Sequence, residues 1–233
     1  MLRSIGDDLW LCDGPVVRFM RFFPYPTRMA VVRLRDGGLW VWSPIALSEE
    51  LVKEIESLGA VRHLVAPNAL HHLSLAQWSE RFPGAQLHAA PGLAAKRPDL
   101  CFQTELGDDP DPAWASEIDQ VVFRGSFFLE EVVFFHRPSS TALVTDLIQR
   151  FDALQLHGPV RWIMRLWGLV GENGSTPREW RASFWKRRAA REALRRALAW
   201  NPARLVIAHG VLPAESGREA LARGLRWLGT RPS

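Results

Sequence analysis

The sequence predicts an α/β layered fold, on two observations. Strand-like and helix-like segments alternate over the first hundred residues in the order strand, hairpin, helix, strand, helix, strand. Apolar residues make up 47% of the 233 residues and charged residues 23%, which is typical of a soluble globular protein with a sizeable core. The turn-rich segment 108–112 is followed at once by further strands, so we expect a single domain over residues 1–233.

The first elements follow from apolar runs and turn residues. Residues 5–12 have the pattern of a strand. Residues 16–28, in which aromatic residues are mixed with Arg and Pro, are predicted to form an irregular loop. Residues 29–34 and 39–42 are rich in β-formers, and the Asp-Gly pair at 36–37 supplies the positive φ of a tight turn, so these two runs are predicted to form a hairpin.

The next elements begin with a capped helix. Ser48 is the predicted N-cap, Glu49 and Glu50 complement the helix dipole in the first turn, and Gly59 ends the helix. The other predicted strands are 61–65, 87–89, 121–124, 131–135, 142–145 and 205–208, and the other predicted helices are 74–82, 91–96, 176–200 and 214–228. A helical insertion rich in Trp and Arg is predicted at about 151–200, and Thr176 to Glu179 has the form of a capping box with Pro177 at the first helical position.

Positive charge is concentrated late in the chain. The net charge is +4, and residues 161–204 contain eleven Arg or Lys against three Glu. This asymmetry is compatible with an anionic substrate, a nucleic acid, a membrane surface, or a solvated helix face with no partner. Residues 159–170 combine Trp and aliphatic residues with Arg161 and Arg165, a pattern typical of an interfacial membrane anchor, of a lid over a site or of a dimer contact.

The cysteines and the N-terminus predict a cytoplasmic protein. Cys12 and Cys101 are two isolated cysteines, which we interpret as buried, reduced thiols. Residues 1–11 carry Asp7 and Asp8 where a signal peptide needs an apolar core, and no apolar run approaches the roughly 20 residues of a membrane span.

Polar residues follow three of the predicted strands. His71 and His72 come after the strand at 61–65, Asp146 after the strand at 142–145, and His209 after the strand at 205–208. Singly, such a histidine is often only a hydrogen-bonded loop residue, and such an aspartate is often a helix cap. Together, imidazole and carboxylate groups at separate strand ends form the set that a transition-metal site needs.

The order of these residues resembles that of the metallo-β-lactamase fold superfamily. The sequence itself is similar to the DUF4336 family of unknown function within that superfamily. The segments that carry the resemblance are PNALHH at 67–72, EVVFFHR at 131–137, STALVTDL at 140–147 and AHG at 208–210. The resemblance covers nearly the whole chain. It implies an αββα sandwich of two mixed sheets flanked by helices, with a metal site at one edge.

The chain departs from the superfamily's His-x-His-x-Asp-His loop. With His72 aligned to the last histidine of that loop, Pro67 and Ala69 replace the first two histidines and His71 replaces the aspartate. The mid-chain histidine expected near 125–128 is also missing. The resemblance then implies one divalent metal ion, zinc first and iron or manganese next, held by His71, His72, Asp146 and His209.

Strand pairing locates the other titratable candidates. If Phe135 pairs with Ala142, Glu131 lies near Asp146. Glu131 could there support the ligand Asp146, act as a base, or pair with an arginine. The same pairing places His136 on the order of 15 Å from Asp146, which excludes it from the site. His63, His88 and His157 are interpreted as surface or loop residues.

These residues predict a metal-dependent hydrolase acting on a small molecule, with Asp146 and Glu131 as catalytic candidates. Oxidative chemistry at an iron centre fits the same ligands. The alternative is a non-catalytic member of the superfamily that binds a ligand or a partner. A nucleic-acid substrate is not expected, because superfamily nucleases keep the full histidine loop that this chain lacks. The oligomeric state is not specified by the sequence.

Overall fold

In the computed structural model, which describes residues 1–19, 23–154, 156, 158–171 and 174–229, the strands form two mixed sheets. The first sheet contains seven strands in chain order: β1 (Arg3–Gly6), β2 (Leu9–Phe19), β3 (Phe23–Arg33), β4 (Leu39–Trp42), β5 (Val61–Ala66), β6 (Gln86–Ala89) and β7 (Phe102–Glu105). The second sheet contains β8 (Ile118–Phe123), β9 (Glu131–His136), β10 (Thr141–Val144) and β11 (Arg204–Ile207), in the order β11-β10-β9-β8.

Strand direction changes within each sheet. Strands β1 to β4 are antiparallel, whereas β4 to β7 run parallel to one another. In the second sheet β8, β9 and β10 are antiparallel and β11 is parallel to β10. The predicted pairing of Phe135 with Ala142 is confirmed, and so is the hairpin of β3 with β4.

The two sheets pack face to face, because alternate residues of each strand point to opposite sides. In β3, Ala30 and Val32 contribute to the core between the sheets, while Met29 and Val31 face the helices outside. The same alternation holds across the second sheet, where Phe134 of β9 packs on Trp40 of β4 with 5.1 Å between ring centroids. The result is the predicted αββα sandwich.

Helices cover both outer faces. The helices are α1 (Glu49–Leu58), α2 (Leu75–Arg81), α3 (Leu93–Lys96), α4 (Gly158–Leu166), α5 (Arg178–Ser183), α6 (Arg187–Ala199) and α7 (Gly217–Gly224), followed by a 3-10 turn at Arg226–Leu228. Ser48 caps α1 as predicted, since its hydroxyl accepts the Leu51 N–H at 3.2 Å. No helix among the described residues is both long and apolar enough to span a membrane.

Several local predictions are wrong. The strand predicted at 5–12 is divided by a turn at Asp7 and Asp8 between β1 and β2. Residues 16–28 are not an irregular loop: as far as they are described, they belong to the long hairpin of β2 and β3, and a register shift between Gly14 and Val17 accommodates the irregular sequence. The helix predicted over 176–200 divides into α5 and α6, and the Thr176 hydroxyl donates to the Leu147 carbonyl instead of capping. Cys12 is buried as expected, but Cys101 is exposed.

Candidate metal centre

The fold brings three strand ends to one edge of the sandwich. Because β10 and β11 are parallel and Val144 pairs with Ile207, Asp146 and His209 each come two residues after the last pair and lie side by side. His71 reaches them from the loop after β5, in the other sheet. This is the convergence that parallel strands allow at their carboxyl ends.

The side chains of His71, Asp146 and His209 form a compact cluster. The His71 Nε2 lies 3.1 Å from the Asp146 Oδ2, and the His209 Nε2 lies 3.2 Å from the Asp146 Oδ1. The two Nε2 atoms are 3.2 Å apart. Metal ions in proteins are bound mainly by His, Cys, Asp and Glu. Among the described residues of these types, His71, Asp146 and His209 are the group whose ligand atoms lie close enough together to hold one ion.

The second nitrogen of each imidazole is held by a partner outside the cluster. The Nδ1 of His209 is 2.7 Å from the Pro26 carbonyl, which only accepts, so this Nδ1 carries a proton and Nε2 is the nitrogen that faces the cluster. The Nδ1 of His71 is 2.7 Å from the Ser43 hydroxyl. Ser43 directly follows β4 with φ of 53°, a left-handed backbone that aims its side chain at the loop.

Asn68 ties the histidine loop to both sheets. Its side-chain amide nitrogen lies within 3.0 Å of Glu131, Thr145 and Asp146, and its side-chain oxygen accepts the backbone N–H groups of Leu70 and His71. One buried side chain therefore fixes the backbone of His71 and the carboxylate of Asp146 together.

Glu131 lies behind Asp146 and is fully buried. Its carboxylate accepts the backbone N–H groups of Thr145, Asp146 and Leu147, at 2.8 to 3.2 Å. No arginine among the described residues pairs with it. Glu131 therefore holds the turn that carries Asp146, and it does not contribute to the lining of the cavity in front of that residue.

The segment that carries His209 is fixed by Arg28, which is itself buried. The Arg28 guanidinium donates to the carbonyls of Ile207 and Gly210, on either side of His209, and pairs with Asp13 at 2.6 Å. Gly210 has φ of 97°, and a Cβ atom there would lie 1.9 Å from the Arg150 carbonyl oxygen. Only glycine fits this close approach.

Burial and hydrogen bonding set the pKa values of the cluster. Burial acts to raise the pKa of Asp146, but the charges and hydrogen bonds of His209 and His71 outweigh it and hold this pKa well below the ordinary value. Burial acts to lower the pKa of His209, yet Asp146 and the Pro26 carbonyl raise it. For His71 burial prevails over Asp146, and the pKa is lowered. Burial and the neighbouring Asp146 charge raise the pKa of Glu131 to about 7.

Of the four ligands predicted from the sequence, the structure does not bring His72 to the cluster. Its Nδ1 lies 2.9 Å from the Arg97 guanidinium, on the far side of the loop. The two adjacent histidines have different partners in this turn, and His71 is the one that contacts Asp146. The structure therefore brings three of the four predicted ligands together.

The remaining histidines are placed differently from the prediction. His63 and His88 are not surface residues: both are buried on neighbouring strands, and the Nδ1 of His63 lies 3.1 Å from the Nε2 of His88. His136 is outside the centre as predicted, but it is the buried last residue of β9 and contacts the Ser139 hydroxyl. His157 lies outside the described residues.

A cavity of about 570 Å³ opens in front of the cluster. Its lining includes all three clustered side chains, together with residues of β2, β3, the loop after β4, the histidine loop and the start of α5. The Tyr25 ring packs edge-on against His209 with 5.1 Å between centroids, and burial raises the pKa of its hydroxyl. The centre is therefore open to a small molecule on one side and enclosed by protein on the other.

The fold is that of the metallo-β-lactamase proteins. The structure is similar to a metallo-β-lactamase from Pontibacter korlensis, with 14% identity, a TM-score of 0.66 and coverage of 99% of both chains. It is also similar to the metallo-β-lactamase FIM-1 from Pseudomonas aeruginosa in its mono-zinc form, with 11% identity, a TM-score of 0.63 and coverage of 98% of this chain and 94% of that chain. The structure is also similar to the flavodiiron core of Flv1 from Synechocystis sp. PCC6803, with 12% identity, a TM-score of 0.63 and coverage of 98% of this chain and 60% of that chain.

Within this fold the chain belongs to the DUF4336 family, a domain of unknown function whose model matches residues 20–155. That match contains His71 and Asp146, and His209 lies after it. No curated protein sequence matches the chain. The family and the fold predicted from the sequence are both confirmed.

Proposed function

We propose that this protein is a metal-dependent hydrolase with a mononuclear centre formed by His71, Asp146 and His209. The observation that carries the proposal is the spacing of the three side chains, in which each contact is 3.1 or 3.2 Å. Ligands about 2.0–2.1 Å from a tetrahedral ion are on the order of 3.3 Å apart. The two Nε2 atoms lie close to this spacing from each other, and each lies close to it from one oxygen of Asp146. Two imidazole nitrogens and a carboxylate that face one another at this distance can share one divalent ion.

The donor set fits zinc first, and iron(II) or manganese next. Two imidazoles and one carboxylate are the protein ligands of hydrolytic zinc sites and of mononuclear iron sites. The partners of Nδ1, Pro26 and Ser43, supply the outer contacts that orient metal-binding histidines. One divalent ion is expected, because a second group of ligands with suitable spacing is absent from the part of the chain that the structure describes.

A divalent ion bound there would polarise a substrate carbonyl and lower the pKa of a water molecule toward neutrality. The chain's own residues would do the rest. Asp146 stays ionised because of its two imidazole partners, and Asn68 and Gln149 hold its oxygens in place with hydrogen bonds of 2.8 and 2.9 Å. Tyr25 packs edge-on against His209 at the cavity wall.

Metal content of purified, untagged protein tests this proposal, with His71→Ala, His209→Ala and His72→Ala as variants. We expect about one equivalent of zinc, iron or manganese in the wild type and in His72→Ala, and loss of that metal in the other two variants. His72→Ala is the matched control, since it removes the adjacent imidazole that contacts Arg97. The loaded wild type is then assayed on ester, amide and phosphoester substrates.

Two results would overturn the proposal. Retention of metal in His71→Ala or His209→Ala would place the site elsewhere. Failure of the wild type to bind any of the three metals after incubation with each would favour a non-catalytic binding protein, in which the three side chains only hydrogen-bond to one another.

A further inference from the structure

The chemistry of the cavity wall restricts what the centre can act on. Apart from the clustered side chains, Glu179 is the charged residue among those that line the cavity, and no described lining residue is Arg or Lys. Most of the wall is apolar, and its apolar residues include Val17, Ile45, Leu70 and Trp167. This is notable because the chain as a whole carries a net charge of +4. Among the described residues, Arg and Lys lie outside the cavity wall.

We propose that the cavity binds a neutral, apolar carbonyl compound, either an ester or an amide with an alkyl or aryl chain, as the substrate of the hydrolase proposed above. Beyond the metal centre, an anionic group would lose its hydration against a wall whose described lining contains no Arg or Lys, and it would face the carboxylate of Glu179. An apolar chain would instead be buried against Val17, Ile45 and Leu70.

The hydrolytic step balances without a further reactant. The oxygen of a water molecule bonds to the carbonyl carbon, the bond from that carbon to the alcohol oxygen or amine nitrogen breaks, and the leaving atom takes a proton from the water. The acid product ionises at neutral pH. Phosphoesters and nucleotides, which are anionic before the reaction, fit the described wall less well.

Competition binding to the metal-free protein tests the substrate class without depending on activity. The probe is N-phenyl-1-naphthylamine, a neutral apolar fluorophore, and the competitors are methyl octanoate, octanoate and octyl phosphate. We expect methyl octanoate to displace the probe at concentrations at least tenfold lower than either anion. Ala46→Trp, which fills the mouth at an exposed lining position, should weaken probe binding at least tenfold. Ala113→Trp, at an exposed position outside the lining, should leave it unchanged.

Equal or stronger competition by the anions, or unchanged binding to Ala46→Trp, would overturn the assigned substrate class. The hydrolase proposal fails separately. If methyl octanoate binds as expected but the metal-loaded protein hydrolyses no ester or amide, the cavity chemistry stands and the catalytic function does not.

A second proposal rests on the outer surface around the mouth of this cavity. Large apolar side chains are exposed there: Leu73 and Phe128 line the mouth themselves, and Trp162 and Leu166 project from α4, which directly precedes the lining residue Trp167. Trp162 is 75% exposed. We define these four residues as the apolar rim. Exposed apolar residues of this size and proximity are typical of an interaction surface.

The charges beside the apolar rim identify its partner. Helix α4 contains Arg161 and Arg165 and no acidic residue. We propose that the apolar rim docks on the surface of an anionic lipid bilayer, with Trp162 and Leu166 at the level of the acyl chains and the two arginines among the headgroups. A second copy of the chain fits less well, since a two-fold contact would bring the arginines of both copies together.

Cosedimentation with vesicles tests this docking. We expect the wild type to bind vesicles of phosphatidylcholine mixed with phosphatidylglycerol, which are anionic, in preference to vesicles of phosphatidylcholine alone. A Trp162→Asp/Leu166→Asp variant should bind the anionic vesicles at least tenfold more weakly. Arg161→Gln/Arg165→Gln should lose most of the preference for the anionic vesicles. Arg3→Gln/Arg62→Gln, which removes the same charge from exposed positions on β1 and β5, should keep that preference. The proposal is overturned if the wild type binds neither vesicle, or if the Asp variant binds as the wild type does.

Discussion

At the scale of single residues, the centre depends on Asn68 as much as on the three metal-binding candidates. Asn68 is fully buried and contacts both carboxylates, Glu131 and Asp146, while its oxygen accepts two backbone N–H groups of the histidine loop. Glu131 and Asp146 are buried close together. The neutral amide of Asn68 donates a hydrogen bond to each of them, which offsets the cost of burying two acidic side chains. The chain therefore needs an amide at this position.

Asn68→Ala is predicted to weaken metal binding by about 10–100-fold, the usual effect of losing an outer contact. It should also destabilise the fold by about 1–3 kcal/mol, because buried acceptors lose their donor. The measurements are metal competition with a chromophoric chelator and urea unfolding. Asn68→Asp adds a third carboxylate without changing the size of the side chain, and it should destabilise the fold more than Asn68→Ala does. Metal affinity equal to that of the wild type in both variants would show that Asn68 does not position the ligands.

Sequence reasoning could identify the centre from the strand ends but could not identify its supporting residues. His71, Asp146 and His209 each follow an apolar run, and that pattern is visible in the sequence. The choice of His71 over His72 depends on which way a turn directs two adjacent side chains, and no periodicity encodes it. Ser43 and Arg28 reach the centre from other strands across long sequence separations, so only the folded structure reveals them.

At the scale of secondary-structure elements, the sequence was most informative where local chemistry determines the conformation. The cap of α1 and the hairpin of β3 with β4 are encoded by Ser48 and by an Asp-Gly turn, and both predictions are confirmed. The β2–β3 hairpin was missed because its pattern is broken by Pro and Arg, and its stability comes from pairing between strands. The division of α5 from α6 was missed because the helical pattern continues across the break.

The segment after β11 provides a test at this scale. In Gly210→Ala the new Cβ atom would meet the Arg150 carbonyl at 1.9 Å, so the backbone next to His209 must move. We expect a loss of more than about 2 kcal/mol of stability and at least tenfold weaker metal binding. Gly37→Ala is the matched control: it has a similar φ, 82°, but no atom within 4 Å of the new Cβ. It should cost only the strain of its backbone conformation, about 1–2 kcal/mol, and leave metal binding unchanged.

If calorimetry and metal competition gave the same result for Gly210→Ala and Gly37→Ala, the approach of Arg150 to Gly210 would have no role in placing His209.

At the scale of the whole molecule, the two sheets have different roles. The second sheet supplies Asp146 and His209 from parallel neighbours, which fixes their spacing through backbone register. The first sheet supplies His71, and Asn68 is bridged to Glu131 across the boundary between the sheets. The centre therefore forms only when the sandwich is assembled, and metal binding should report on folding of the entire αββα core.

Stability of the whole molecule should fall as the pH falls from about 6.5 to about 4, and His88 is one identifiable source. Burial and the neighbouring His63 lower the pKa of His88 from 6.5 to about 4. Within this window the unfolded chain binds a proton that the folded chain excludes, so the free energy of unfolding decreases with decreasing pH, by at most about 3 kcal/mol for this group.

His88→Gln cannot be protonated. It should therefore lose less stability than the wild type between pH 6.5 and pH 4, although it gives up the contacts of His88 with His63 and Thr104 at neutral pH. Urea unfolding with a chelator present measures both profiles without the contribution of bound metal. Parallel profiles would mean that His88 is protonated in the folded state as readily as in the unfolded state. The buried His63–His88 contact would then accommodate an imidazolium ion.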